Sequence, residues 1–170
     1  LRASIPAGAV TQGAVQGVLP YRNQVCVVTM TGETLLEIME ASTAAAPYPA
    51  GAFPQVSGIE MTVRTDIPFA KGRAYGNGKY YKPAKPGQRV TIHRVGGKAF
   101  SSDAVYTIAT YEFVSRGGDA YGVLAEPGKA ETQYVGYTDA DAVVNYIQDE
   151  LQGRIGSEYA ALQGRMQLQP

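Results

Sequence analysis

From Gln24 to Met30 the chain reads QVCVVTM, a nearly continuous β-branched run that predicts a strand covered on both faces. Before it, TQGAVQGVL predicts a short helix: Thr11 is placed to cap it, Val15, Val18 and Leu19 fall on one face, and Pro20 stops it. After it, Thr31 caps a helix through GETLLEIMEASTAAA, whose inward face is Leu35, Leu36, Ile38 and Met39. The prolines of APYPAGAFP remove backbone donors and restrain their neighbours, so a loop follows. Ile59, Met61 and Val63 then alternate as a strand with one face inside. In QRVTIHRVGGKAFSSDAVYTIATYEF, Val90 and Ile92 alternate first, and Tyr106, Ile108 and Thr110 second. This predicts a hairpin turning at Gly96 and Gly97. TDADAVVNYIQDEL opens with Thr138 and Asp141 in a variant capping box and lines up Val143, Val144, Ile147 and Leu151 on one helical face. GRMQLQ returns as an edge strand. The irregular alternation predicts one α+β domain over residues 1–170, with mixed β-sheets and flanking helices.

Residues 67–87, rich in Gly, Lys, Pro and Tyr, predict an exposed hairpin or surface loop whose tyrosines lie over neighbouring strands. Basic residues interleaved with tyrosines can stack on single-stranded nucleic acid. Here, however, 15 Lys and Arg balance 15 Asp and Glu, and neither sign forms a long run, so a nucleic-acid polymer or an anionic membrane surface is not an expected partner. No apolar run approaches the roughly 18 residues that a membrane helix needs, so no membrane insertion of this domain is expected.

The single Cys26 excludes an internal disulfide and a Cys-rich zinc site, and its setting predicts a small buried hydrophobe. The single His93 lies in an alternating strand and reads as structural or surface-facing. A two-metal hydrolytic centre usually draws on several His and carboxylate ligands, and a Ser-His-Asp triad would depend on this one ring. No catalytic residue, metal ligand or cofactor is therefore assigned to this chain. It opens at LRASIPAG, without an initiator Met or a targeting pattern, and is expected to be a piece of a longer protein.

The stretch YEFVSRGGDAYG, Tyr111 to Gly122, sets two glycines and an acid beside an aromatic-rich strand. Gly117 and Gly118 lack a Cβ and tolerate positive φ, so the chain can turn tightly next to a ring. From the residues alone, Phe113 reads as core and Tyr21 as a staple between the turn and the first helix. Asp119 reads as a cap or as the anchor of the turn, and Arg116 as solvated.

The order of four stretches resembles the C-terminal domain of 5'-nucleotidases and related periplasmic UDP-sugar hydrolases: LRASIPAG, VLPYRNQVCVVTMTGETLLEIME, FPQVSGIEMTV and YTIATYEFVSRGGDAYG. The resemblance covers nearly the whole chain. It implies a bacterial, extracytoplasmic, two-domain enzyme that removes phosphate from nucleotides. An N-terminal metallophosphoesterase domain, absent from this chain, would hold two divalent metal ions and the catalytic His-Asp pair. The present domain would bind the nucleoside and rotate against that domain; alone it would be inactive. Its implied partners are the nucleotide or nucleoside substrate and that N-terminal domain.

Residue by residue, Arg2 matches the arginine that contacts substrate, at the end of the family's Asn-Gly-Gly-[Ile/Leu]-Arg start. Phe113 matches one base-stacking aromatic and Tyr21 the other, where most members carry Phe. Asn23 matches a residue that meets the base, and Asp119 the acid that bonds the sugar hydroxyls, with Gly117 and Gly118 bringing backbone near the ligand. Two rivals are a relative acting on cyclic nucleotides, UDP-sugars or sulfur compounds, and a stand-alone interaction module that works through residues 67–87.

Overall fold

The structure is a computed structural model that describes residues 2–76 and 78–170. After helix α1 (Gln12–Val18), capped by the Thr11 hydroxyl accepting from the Ala14 amide, come strand β1 (Gln24–Thr31) and helix α2 (Gly32–Ser42). Strands β2 (Ile59–Arg64), β3 (Lys71–Ala74), β4 (Tyr81–Pro83), β5 (Val90–Val95), β6 (Lys98–Ala99) and β7 (Val105–Tyr111) follow. A single helical turn α3 (Glu112–Ser115), strand β8 (Ala130–Thr138), helix α4 (Asp139–Asn145) and strand β9 (Met166–Gln169) complete the chain. Among the described residues the strands form three sheets, ordered β7-β1-β8, β6-β5-β2-β9 and β3-β4. The α+β class with mixed sheets is as expected: β2 pairs antiparallel with β5 and parallel with β9, which is an edge strand as its sequence suggests.

The core joins Val28 and Met30 of β1, Leu35, Ile38 and Met39 of α2, and Ile59, Met61, Val63, Val90 and Ile92 of the second sheet. Strand β1 departs from the expectation of two covered faces. Cys26, Val28 and Met30 are buried, whereas Val25, Val27 and Thr29 are only half-buried. It is the middle strand of an antiparallel sheet, and such a sheet packs one face on the core while the other stays partly wet. On the second sheet, His93 Nε2 lies 2.8 Å from the Thr62 hydroxyl, in line with its structural reading.

The predicted hairpin across Gly96 and Gly97 also needs correction. The glycines do turn the chain, but only into the two-residue β6; β7 leaves that sheet and pairs with β1, Val28 opposite Ile108. Period-two alternation identifies a strand and its inner face without selecting its neighbour. The crossing segment is held by the open end of α2, where the Gly32 amide donates to the Ala104 carbonyl at 2.8 Å and the Glu33 amide to Ser102 at 2.9 Å. A side chain at Gly32 would collide with the Ser101 carbonyl.

Helix α2 stops at Ser42, short of the expected Ala46, where the chain tightens into turns, the Ala44 amide donating to Ala41 and the Ala46 amide to Thr43, ahead of Pro47. Arg89, almost fully buried, donates to the carbonyls of Thr43 and Ala46 at 3.1 Å and of Ile67 at 2.7 Å. Beside it the buried Glu40 carboxylate accepts from the amides of Gly87, Arg89 and Val90. Burial pulls the guanidinium below its ordinary value, while the Glu40 charge opposes that change.

Residues 67–87 form the expected β3-β4 hairpin with many exposed positions, but Tyr75 anchors it in the core. Tyr75 is only 2% exposed and heads the fully buried side chains by volume. Its hydroxyl donates to Glu37 Oε1 at 2.9 Å, and burial, then the Glu37 charge and this bond, push the phenol well up. Strand β8 has no counterpart in the sequence expectations, since its residues are nearly all exposed and show no apolar alternation. Helix α4 has the expected capping box, then widens into a π-turn over Tyr146–Glu150 that leaves its apolar face half-buried.

Candidate functional site

In an antiparallel sheet the start of a middle strand meets the ends of its neighbours, and here that geometry brings three chain segments together. Val25 opposes Tyr111 of β7, and Gln24 opposes Thr138 of β8. The residues leading into β1 therefore adjoin those leaving β7 and β8. The Asp139 amide donates to the Asn23 carbonyl at 2.9 Å, and Asn23 Nδ2 donates to the Asp139 carboxylate at 3.1 Å. This reciprocal pair fixes the amide plane of Asn23.

Tyr21, just upstream after Pro20, is 64% exposed, and Arg22 beside it holds φ 52°. The Arg2 guanidinium carbon stands 5.4 Å from the centre of the Tyr21 ring, within cation-π range, and the Arg2 amide donates to the Val18 carbonyl at 3.0 Å. Arg2 and Tyr21 thus form one exposed unit beside Asn23.

On the other side, α3 ends in a Schellman motif. The Gly117 amide donates to Val114 and the Gly118 amide to Phe113, both at 2.9 Å, with Gly117 at φ 81°. The two glycines serve different needs. A side chain at Gly117 would meet Ala125 Cβ at 2.9 Å and sit in a left-handed conformation. One at Gly118 would stand 2.5 Å from both the Phe113 carbonyl oxygen and ring atom Cε1. Phe113, 47% exposed, is therefore seated on the backbone of Gly118 and is a surface ring, not core. Asp119 itself takes φ 47°, and its Oδ1 accepts from the Tyr80 hydroxyl at 3.2 Å.

Tyr111 lies between the two halves. Burial raises its phenol first, and the negative charges of Asp119 and Asp139 raise it further. Arg116 is exposed and engaged with Glu112 at 2.7 Å, in keeping with its solvated reading. Sequence reasoning missed Tyr80, Tyr111 and Asp139. Tyr80 and Asp139 are brought here by the hairpin and by β8, neither marked by apolar periodicity, and Tyr111 by the pairing of β7 with β1.

Two hollows lie away from this end of the sheet. One is lined by Leu151, Gln152, Arg154, Gly156, Ser157 and Glu158, the other by Tyr137 of β8 with residues of α4 and its π-turn. The sheet end is taken as the candidate site because its polar groups are held in place, Asn23 by Asp139 and Asp119 by Tyr80. Among the described residues no group of three or more His, Cys, Asp and Glu side chains could hold a metal ion, so these residues do not fit a metal pair. Also among the described residues, no helix is long and apolar enough to cross a membrane.

A family model described as "5'-nucleotidase, C-terminal domain" matches residues 1–126. The trifunctional nucleotide phosphoesterase protein YfkN of Bacillus subtilis is 32% identical over 167 residues, which cover 91% of this chain and 10% of that protein. A 5'-nucleotidase of Vibrio cholerae is 31% identical over 149 residues, covering 87% of this chain and 22% of that one. The crystal structure of a 5'-nucleotidase precursor from Thermus thermophilus superposes with a TM-score of 0.73 at 28% identity, over 99% of this chain and 30% of its own. The chain thus spans a small part of the length of these relatives.

Proposed function

The chain belongs to the family of the 5'-nucleotidase C-terminal domain, and from that premise we propose that it is the nucleoside-holding domain of a nucleotide-hydrolysing phosphoesterase. The observation that carries the reading is the pair of exposed rings, Tyr21 and Phe113, set with Asn23 and Asp119 around one end of the first sheet. A flat base lies between the rings. Each stacked face contributes about 1–3 kcal/mol by analogy with bases on aromatic side chains, so two faces suffice for binding on the order of millimolar.

Asp119 accepts from sugar hydroxyls. Asn23, with one amide hydrogen given to Asp139, offers its carbonyl and remaining N–H to the base edge. Arg2, stacked on Tyr21, directs a positive charge to the same place. The hydroxyl that Tyr21 carries in place of the usual Phe adds a polar group at the edge of the clamp. Gly117 and Gly118 shape the turn that sets Phe113 and Asp119 side by side.

Bond breaking belongs to another domain of the same protein, of metallophosphoesterase type with two divalent metal ions. The present domain supplies orientation, holding the nucleoside so that its phosphate reaches those metals. An extracytoplasmic location is part of this reading and rests on the family resemblance alone.

The test is a titration of the isotope-labelled chain with adenosine and with uridine at millimolar concentration, repeated with Phe113→Ala and Tyr21→Ala. The expected result is perturbation of resonances around Tyr21, Asn23, Phe113 and Asp119, with affinity falling about tenfold in either variant. No response from the folded chain would defeat the proposal of a self-sufficient nucleoside site.

A further inference from the structure

We infer that Tyr80 is a positioning residue for the ligand-binding carboxylate, and that hairpin β3-β4 grips the Asp119–Glu126 loop so that Asp119 meets sugar hydroxyls in a preset orientation. The inference rests on the nucleoside-holding reading above and adds to it a residue outside the matched motifs.

The contacts are distributed along the whole loop. At its start the Tyr80 hydroxyl donates to Asp119 Oδ1 at 3.2 Å. In its middle, Gly122 is pressed so closely against the Tyr75 ring that a Cβ would overlap it. At its end Glu126 takes Arg73 Nη2 and Lys82 Nζ, each at 2.8 Å. The hairpin is itself fixed to the body of the domain, because the Tyr75 hydroxyl donates to Glu37 of α2 and Lys82 stands 3.3 Å from the same oxygen. Lys82, Glu37 and Glu126 are largely shielded from water, which makes this more than a loose surface pair.

Asp119 therefore receives its orientation from two sides. The Schellman end of α3 sets its backbone, and the hairpin sets its carboxylate. A carboxylate has about four acceptor sites, and the Tyr80 hydroxyl takes one of them. Burial and the Asp119 charge raise the Tyr80 phenol, so it keeps its proton across the neutral range and acts as the donor. Ordering one side chain in advance is the kind of preorganisation that strengthens binding without any new contact to the ligand.

The test uses Tyr80→Phe, which keeps the ring and removes only the hydroxyl, with adenosine and 2',3'-dideoxyadenosine as probes. The unaltered chain should prefer adenosine. In Tyr80→Phe the adenosine affinity should drop about three- to tenfold while that for the dideoxy nucleoside stays the same. In an Asp119→Asn background, Tyr80→Phe should change neither.

An unchanged adenosine affinity in Tyr80→Phe, or an equal loss for both nucleosides, overturns the inference; equal loss identifies a role in general packing. Those outcomes leave the nucleoside-holding reading standing. If the unaltered folded chain binds neither probe, that reading fails and this inference with it. An unfolding midpoint and an amide spectrum like those of the parent establish that Tyr80→Phe is folded. Lys82→Met, which loosens the far end of the loop, should reproduce the selective loss for adenosine, and equal weakening of both probes by it would count against the hairpin's role.

Discussion

Gly118→Ala is the substitution most revealing of how the fold builds its surface ring. The added methyl would stand 2.5 Å from the Phe113 carbonyl oxygen, 2.5 Å from Cε1 and 2.6 Å from Cζ, whereas ordinary contact begins near 3.4 Å. The ring is half exposed and can swing away at little cost. The carbonyl cannot, because it accepts the Gly118 amide at 2.9 Å and closes the helical turn. Relief therefore requires opening that bond, worth about 0.5–1.5 kcal/mol net, on top of about 1–3 kcal/mol for overpacking. The expected loss of stability is roughly 2–4 kcal/mol, read as a lowered urea midpoint at unchanged slope. The same measurement in a Phe113→Ala background separates ring from backbone, and most of the loss should persist there. A Gly118→Ala protein within about 0.5 kcal/mol of its parent would refute the reasoning, since that shift is what an indifferent surface site shows.

Other outcomes follow from the interior. Glu40→Ala strands the buried amides of Arg89 and Val90, the part-buried amide of Gly87 and the Arg89 charge, and should cost about 3–5 kcal/mol by urea unfolding, with Glu40→Gln less severe; a cost under about 1 kcal/mol would contradict the account. Burial pushes the Tyr121 phenol up to about 12. A phenol raised in the folded state stabilises it fully below its unfolded value near 10, and that contribution is lost as pH climbs through about 12. From about 10 to 12 this amounts to on the order of 2–3 kcal/mol, so stability should fall steeply over that window and less steeply in Tyr121→Phe.

The parts of the fold that announce themselves in the sequence are those whose own residues carry the period. The caps at Thr11, Thr31 and Thr138 and the inner faces of α2, β2 and β5 are of that kind. Sheet membership is not local: β7 alternates as well beside β1 as it would beside β5, and only the Phe100–Ala104 crossing held by α2 decides between them. Strand β8 and the anchoring of the 67–87 hairpin are hidden for another reason. Their stability comes from edge pairing, a single buried tyrosine and paired charges, none of which leaves a hydrophobic pattern.

The candidate site shows the same division. Tyr21, Asn23, Phe113, Gly117, Gly118 and Asp119 are legible as motif residues, and the sheet register explains why they meet at one end. The partners that orient them, Tyr80 for Asp119 and Asp139 for Asn23, come from segments the motifs do not reach.

The central claim, that this end of the sheet clamps a nucleoside, is tested most directly by isotope-filtered intermolecular NOEs from adenosine to the labelled chain. The account predicts contacts from the base protons to the ring protons of both Tyr21 and Phe113, with ribose protons close to the Asp119 turn. Contacts confined to the hollows along residues 137–158, or to the 67–87 hairpin with both rings silent, would contradict it.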